Sequence, residues 1–375
     1  LATSSDIHYS YKDDIMMNTQ RLEKVLKKME TEGLEQMIIS DPYAIYYLTG
    51  RFIDPGERLL ALYINQSGKN KIFINNLFTV PEDLGVEKFR FSDTDDYLTP
   101  LCDCVEAGKP LGIDKTFAAR FLIPVIDHSG ASSYKVSSIC VDEVRACKDD
   151  EEREKMRAVS AINDKAMAQF RGLIHEGVTE EEIASKMLDI YKSLGADGYS
   201  FEPLVGFGAN CALGHHGPDD TVLKEGDTVL FDVGCRKDGY CADMTRTFFY
   251  KKVPSEKHRA IYETVRRANA AAEAILKPGV PLCEVDKAAR QIIEDAGYGP
   301  NFTHRLGHFI GLEVHEYGDV SSANTKVAEV GNIFSIEPGI YVEGEVGVRI
   351  EDLVLITEDG CEILNSFSKE LDIVE

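Results

Sequence analysis

Four acidic residues stand where the surrounding sequence calls for apolar side chains. Asp232 interrupts the run Val229-Leu230-Phe231, Glu337 closes Ile333-Phe334-Ser335-Ile336 ahead of Pro338 and Gly339, and Glu351 sits inside the strand-like segment "VGVRIEDLVLI". The fourth, Asp243, follows Asp238-Gly239, a strong hairpin signal. With those two as the turn residues, Asp232 faces Thr245 across the hairpin, and Asp243 lies two residues before Thr245 on the same face. A lone buried carboxylate is costly unless a cation or a proton compensates it. Plainer readings exist: Asp232 as a strand-end cap, Asp243 as a surface acid, and Glu351 as the ion-pair partner of Arg349, which alternation puts on its face. Convergence of four acids favours a metal site over these.

Histidine adds to the pattern. "HRLGHFIGLEVHE" holds His304, His308 and His315, and a spacing of four sends the first two to the same side in a helix or a strand. Two divalent ions would neutralise the four carboxylates, and one imidazole with several carboxylate oxygens suits Mn²⁺ or similar ions better than a thiolate site would. Such a pair of ions lowers the pKa of a shared water and polarises a carbonyl, which is the chemistry of hydrolysis.

These residues need elements to hold them. A first helix is expected from about Thr19, with Leu22, Val25, Leu26 and Met29 on one stripe and Gly33 at its C-cap. Strands are expected at Gln36–Ile39, 59–64, 71–74 and 111–113, alternating with helical segments as in a modest α/β domain that carries no catalytic cluster. The charge run "VRACKDDEERE" then leads into a long helix with Met156, Val159, Ala166, Met167 and Phe170 on its apolar face, which puts a domain boundary near 145. Thr179 and Glu182 have the spacing of a capping box. Two more helices are expected, from about Ser255 to Leu276 and from Cys283 to Ala296, stopped by Pro278-Gly279 and Gly297.

Composition narrows the partners. The 375 residues carry a net charge of −23, which repels phosphate backbones and anionic headgroups, so no nucleic-acid or membrane partner is expected, and a cationic ligand is. No window reaches the apolar length of a membrane span, and no basic-then-apolar N-terminus suggests secretion, so a cytoplasmic location is expected. Nine cysteines without paired CxxC sets read as reduced structural thiols. No GxGxxG or GxxxxGK[ST] signature supports a nucleotide. Residues 1–16 are polar, lack an initiator Met and read as a leader or added extension, leaving domains of 17–145 and 146–375.

From about Lys148 to Leu371 the chain resembles the pita-bread metallopeptidases, and the preceding domain resembles the N-terminal domain shared by aminopeptidase P, prolidase and creatinase. The resemblance implies an α/β (α+β) protein, a small creatinase-like domain followed by a pita-bread catalytic domain. It implies that Asp232, Asp243, His308, Glu337 and Glu351 bind two divalent metal ions, Mn²⁺ first with Co²⁺ or Zn²⁺ as alternatives, Asp243 and Glu351 bridging. Glu337 would shuttle the proton and His315 stabilise the oxyanion, while His215 in "ALGHH", His304, Tyr341 and Arg349 would line the substrate side. The implied activity is cleavage of the Xaa-Pro bond at the N-terminus of a peptide by a metal-bridging hydroxide, in a homodimer.

Two departures bear on the substrate. Gly214 precedes His215 where the family often has Pro, and Gly318-Asp319 stand where many prolidases carry a Pro-Arg pair that holds a dipeptide's free carboxylate. An Xaa-Pro aminopeptidase is therefore placed ahead of a prolidase. Methionine aminopeptidase shares the five ligands but usually lacks the first domain. Creatinase lacks the ligands, and a non-catalytic binding module would show eroded ones.

Overall fold

The computed structural model describes residues 16–214 and 216–375, so nearly all of the expected leader, 1–16, lies outside it. The chain divides into two compact units, 1–145 and 146–375.

The first unit is built on a six-stranded mixed sheet in the order Glu87–Phe91, Lys71–Asn75, Leu60–Asn65, Gln36–Ile39, Pro110–Ile113, Ser133–Val136. The central strands are apolar because both faces are covered: Met37, Ile38, Ile39, Ala61 and Leu62 are fully buried. Sequence reading found these and missed the two edge strands, "EKFRF", which buries Phe91 beside charged and half-buried residues, and "SYKV", which is largely exposed. An edge strand has one bonded neighbour and needs no apolar run. The first helix, Thr19–Thr31, is capped by the Asn18 side chain and followed by Gly33 at φ +69°.

The second unit carries the expected helices at Asp150–Arg171, Glu180–Ser193, Glu256–Ala274 and Leu282–Asp295. Both halves of the Thr179–Glu182 capping box form, and the charge run conceals a second one, Asp149 with Glu152. The Asp238-Gly239 hairpin has the anticipated register: Lys237 pairs with Tyr240, Asp232 with Thr245 and Met244 with Val233. Both turn residues have positive φ, 49° and 85°, as a type I′ turn demands.

Two sheets frame the unit's polar interior. One has the order Ile373–Val374, Met244–Tyr250, Thr228–Val233, Leu204–Phe207. The other runs Glu316–Val320, Gly307–Phe309, Ile333–Ile336, Asp352–Ile356, Cys361–Ile363. Apolar residues of the second, among them Phe334, Ile336, Val354 and Ile356, pack with Ile261, Val265, Ala268, Val285, Ala289 and Ile293 of the last two helices.

The segment expected to be one strand through Glu351 is two. Val346–Arg349 pairs with Gly339–Val342, whereas Asp352–Ile356 joins the five-stranded sheet, and Ile350 and Glu351 form the junction. That junction is fixed by a buried ionic group. Arg246, 1% exposed, donates to Asp352 Oδ1 at 2.6 Å, to the Glu351 carbonyl at 2.6 Å and to the Phe367 carbonyl at 2.8 Å. Lys369 reaches the other Asp352 oxygen at 2.6 Å and Glu273 at 2.7 Å. Two cations and two carboxylates thus balance within the core. Removing one partner strands the others, so Asp352→Ala is expected to destabilise the protein by about 3–5 kcal/mol, read as a lower urea midpoint, with Asp352→Asn costing less.

Candidate metal and catalytic site

The five proposed ligands arrive from strand ends. Asp232 lies in the Thr228–Val233 strand, whose Val229, Phe231 and Val233 are buried on the opposite face. Asp243 immediately precedes the Met244–Tyr250 strand, His308 is the middle of Gly307–Phe309, Glu337 follows Ile333–Ile336, and Glu351 precedes Asp352–Ile356. Gly307 must be glycine, because a Cβ there would collide with the Ser335 carbonyl.

These side chains converge on one cavity of about 900 Å³. His308 Nε2 is 3.5 Å from Asp243 Oδ2 and 3.6 Å from Glu337 Oε1. Asp243, His308 and Glu351 each offer a ligand atom, all within 4.8 Å of one another. Asp243, His308 and Glu351 are 4%, 4% and 1% exposed. His308 Nδ1 lies 3.3 Å from the Phe309 carbonyl and donates to it, which leaves Nε2 as the nitrogen that faces the carboxylates.

Each acid has one oxygen fixed by the protein, or one left bare. Arg349 donates to Asp232 Oδ2 at 2.6 Å, Thr245 to Glu351 Oε2 at 2.7 Å, and Ser335 to Glu337 Oε1 at 3.3 Å. Asp232 Oδ1, Asp243 Oδ1 and Glu351 Oε1 are buried without a hydrogen-bond partner. Three orphaned carboxylate oxygens in a cavity that His308 also lines are what a pair of hard cations would satisfy, so the residues fit that group. Burial, and then the neighbouring carboxylates, push Asp243 and Glu351 well above the usual carboxylate range. Asp232 is raised too, by burial, with Arg349 opposing.

Arg349 departs from the ion pair that strand alternation suggested. Its guanidinium bonds to Asp232, to the Tyr341 hydroxyl at 2.9 Å and to Thr245 Oγ1 at 3.0 Å, because Glu351 lies beyond the end of its strand. Tyr341 in turn meets His304 Nε2 at 2.9 Å, giving a continuous chain from Asp232 to His304. Gly339 permits it, since a Cβ there would occupy the place of the Tyr341 hydroxyl. His315 stacks edge-on to His308 with ring centroids 4.2 Å apart, and burial followed by the charges of His308 and Arg305 brings its pKa down to about 4. Burial lowers His304 as well. His304, His308, His315, Tyr341 and Arg349 all line the cavity. His215 lies outside the described residues.

Sequence reading overlooked several supports. Thr245 bridges Arg349 and Glu351. Lys148, 2% exposed, pairs with Glu316 at 2.9 Å, and Glu316 also accepts the Leu312 amide at 2.9 Å, which fixes the turn leading into His315. Nothing in a charge run marks one lysine as buried. A further group, Glu180, His216 and Asp219, resembles a metal cluster but is already satisfied: the Glu180 carboxylate accepts from the Phe207 amide, Asn210, His216 and the Asp219 amide. It anchors the loop on both sides of position 215.

The family model of metallopeptidase family M24 matches residues 154–358, and that of the Creatinase/Prolidase N-terminal domain matches residues 21–147. The chain belongs to metallopeptidase family M24. This peptidase is 37% identical over 354 residues to an uncharacterized peptidase of Staphylococcus saprophyticus, covering 93% of this chain and 100% of the relative. Among solved structures it is similar to a dipeptidase of Pyrococcus horikoshii OT3, with a TM-score of 0.88 and 33% identity over 94% of this chain and 100% of the other. The prolidase of the same organism gives 0.85 and 30%, over 94% and 99%. The expected arrangement of a creatinase-like domain followed by a pita-bread catalytic domain holds.

The site makes a prediction of its own. Because Asp243 and Glu351 hold protons above the usual range in the metal-free protein, Mn²⁺ binding must displace them. Titration calorimetry of chelator-stripped protein in buffers of different ionisation enthalpy should show proton release at pH 7, and affinity should fall as pH is lowered. Asp243→Ala should lose metal, read by elemental analysis; full occupancy of both ions in that variant would refute the ligand assignment.

Proposed function

We propose that this peptidase is a dinuclear-metal hydrolase that cleaves the Xaa-Pro bond at the N-terminus of short peptides, with Asp232, Asp243, His308, Glu337 and Glu351 holding the ions. The observation that carries the proposal is the cluster of Asp243, His308 and Glu351 on a cavity wall where Asp232, Asp243 and Glu351 each leave a buried carboxylate oxygen without a partner. Two divalent ions there would lower the pKa of a water and polarise the scissile carbonyl.

The chain's own groups complete the reaction. Glu337, fixed at its Oε1 by Ser335 and exposed to the cavity, takes a proton from the attacking water and returns it to the departing prolyl nitrogen. His315 is neutral at pH 7, since its pKa lies near 4, and so donates a neutral N–H to the oxyanion rather than a charge. His304 is held by Tyr341 at one nitrogen and by the Arg305 carbonyl at 2.7 Å from the other, which fixes its ring on the leaving-group side.

Two versions differ in where the substrate ends. Gly318-Asp319 and the size of the cavity support an Xaa-Pro aminopeptidase that takes longer peptides. Similarity to the Pyrococcus dipeptidase and prolidase supports a dipeptidase. Chelator-stripped protein with and without Mn²⁺, offered an Xaa-Pro dipeptide, an Xaa-Pro-Yaa tripeptide and a Met-Ala peptide, should cleave the proline substrates only with metal. Cleavage of the Met peptide alone would overturn the reading. His315→Ala should keep its metal and lose roughly 10²–10³ in kcat.

A further inference from the structure

An Xaa-Pro dipeptide brings a free carboxylate into a cavity whose walls are acidic. Besides the five ligands' acids, Glu202 and Glu343 line it, both exposed. A cation is the group that best offsets the repulsion such a carboxylate would meet there. Two arginines line the cavity. Arg349 is fully engaged, with Asp232, Tyr341 and Thr245 on its three nitrogens. Arg305 is exposed, and its guanidinium makes no hydrogen bond or ion pair with any described residue.

The backbone that carries Arg305 is rigid. Arg290 donates to the Phe302 carbonyl at 3.1 Å and to the His304 carbonyl at 2.9 Å, is held from behind by both oxygens of the buried Asp286, and stacks on the Phe302 ring at 4.2 Å. On the other side the Glu337 amide donates to the Leu306 carbonyl at 2.8 Å. The held backbone places the Arg305 side chain at the cavity, and its uncommitted guanidinium leaves all its donors for an anion. Arg305 adjoins His304, on the leaving-group side, and its charge reaches His315. Position 319, where an arginine would otherwise be sought, holds an aspartate whose Oδ1 accepts from Ser321.

We propose that Arg305 receives the C-terminal carboxylate of the substrate, so that this peptidase favours free Xaa-Pro dipeptides over their amides and over longer peptides. The proposal rests on the Xaa-Pro reading above. It makes Arg305 a specificity residue that touches the substrate and takes no part in bond cleavage.

The test compares Ala-Pro, Ala-Pro-amide and Ala-Pro-Gly on the Mn²⁺-loaded wild type, Arg305→Gln and Arg305→Lys, with thermal melts confirming that the variants fold. The wild type should show the lowest KM for Ala-Pro. Arg305→Gln should cut the amide-to-dipeptide KM ratio by about tenfold, a charge-assisted contact discounted for exposure, and Arg305→Lys should recover part of it. If the wild type cleaves the proline substrates but the ratio is unmoved in Arg305→Gln, the carboxylate role is wrong while the Xaa-Pro reading stands. If metal-loaded wild type cleaves none of the three, the Xaa-Pro reading falls and this proposal with it.

Discussion

One constraint dominates the second unit: four carboxyl groups line a single cavity, and each needs a proton or a cation to compensate its burial. The protein supplies only directional support from behind. Arg349 is the one protein cation bonded to these acids among the described residues; Thr245 and Ser335 contribute hydroxyls, which orient an oxygen without neutralising it. Had more lysines or arginines been placed here, the acids would be satisfied and the site would have no affinity left for metal. Carboxyl groups that keep their protons for want of partner cations in the metal-free chain are therefore a working property of the site.

The same logic explains why ionic groups elsewhere in the unit are balanced. Arg246, Lys369, Asp352 and Glu273 pair two basic with two acidic groups immediately behind Glu351. A net charge there would either attract or repel the ions through the strand junction. Balance confines the electrostatic demand to the cavity, and the hydrophobic contacts between the last two helices and the five-stranded sheet carry the stability that the polar wall withholds.

How much of this was legible in the sequence depends on whether a feature is local. The Asp238-Gly239 turn sets its own register, so the positions of Asp232 and Asp243 followed from a dipeptide and the two-residue period of a strand. Acids in apolar runs betrayed Glu337 and Glu351, because patterning there is strong enough for an exception to stand out. The edge strands of the first sheet were not legible, since 133–136 is exposed and 87–91 sets its two core-facing Phe among charged residues in too short a run to stand out. The Arg349 partner was misread for a different reason: alternation assumes one continuous strand, and the chain changes sheets between Arg349 and Asp352. Lys148 with Glu316, and Glu180 with the loop it anchors, pair residues distant in sequence, and no spacing rule reaches them.

The buried ionic set behind Glu351 has a consequence for how the protein comes into being. Arg246 is satisfied by the Phe367 carbonyl, Asp352 by Lys369, and the strand bearing Arg246 pairs at its far end with Ile373–Val374. A chain growing on the ribosome therefore exposes all five proposed ligand residues before it possesses the segment that locks Glu351 in place. The contacts that hold the Glu351 junction are complete only once residues 367–374 have emerged.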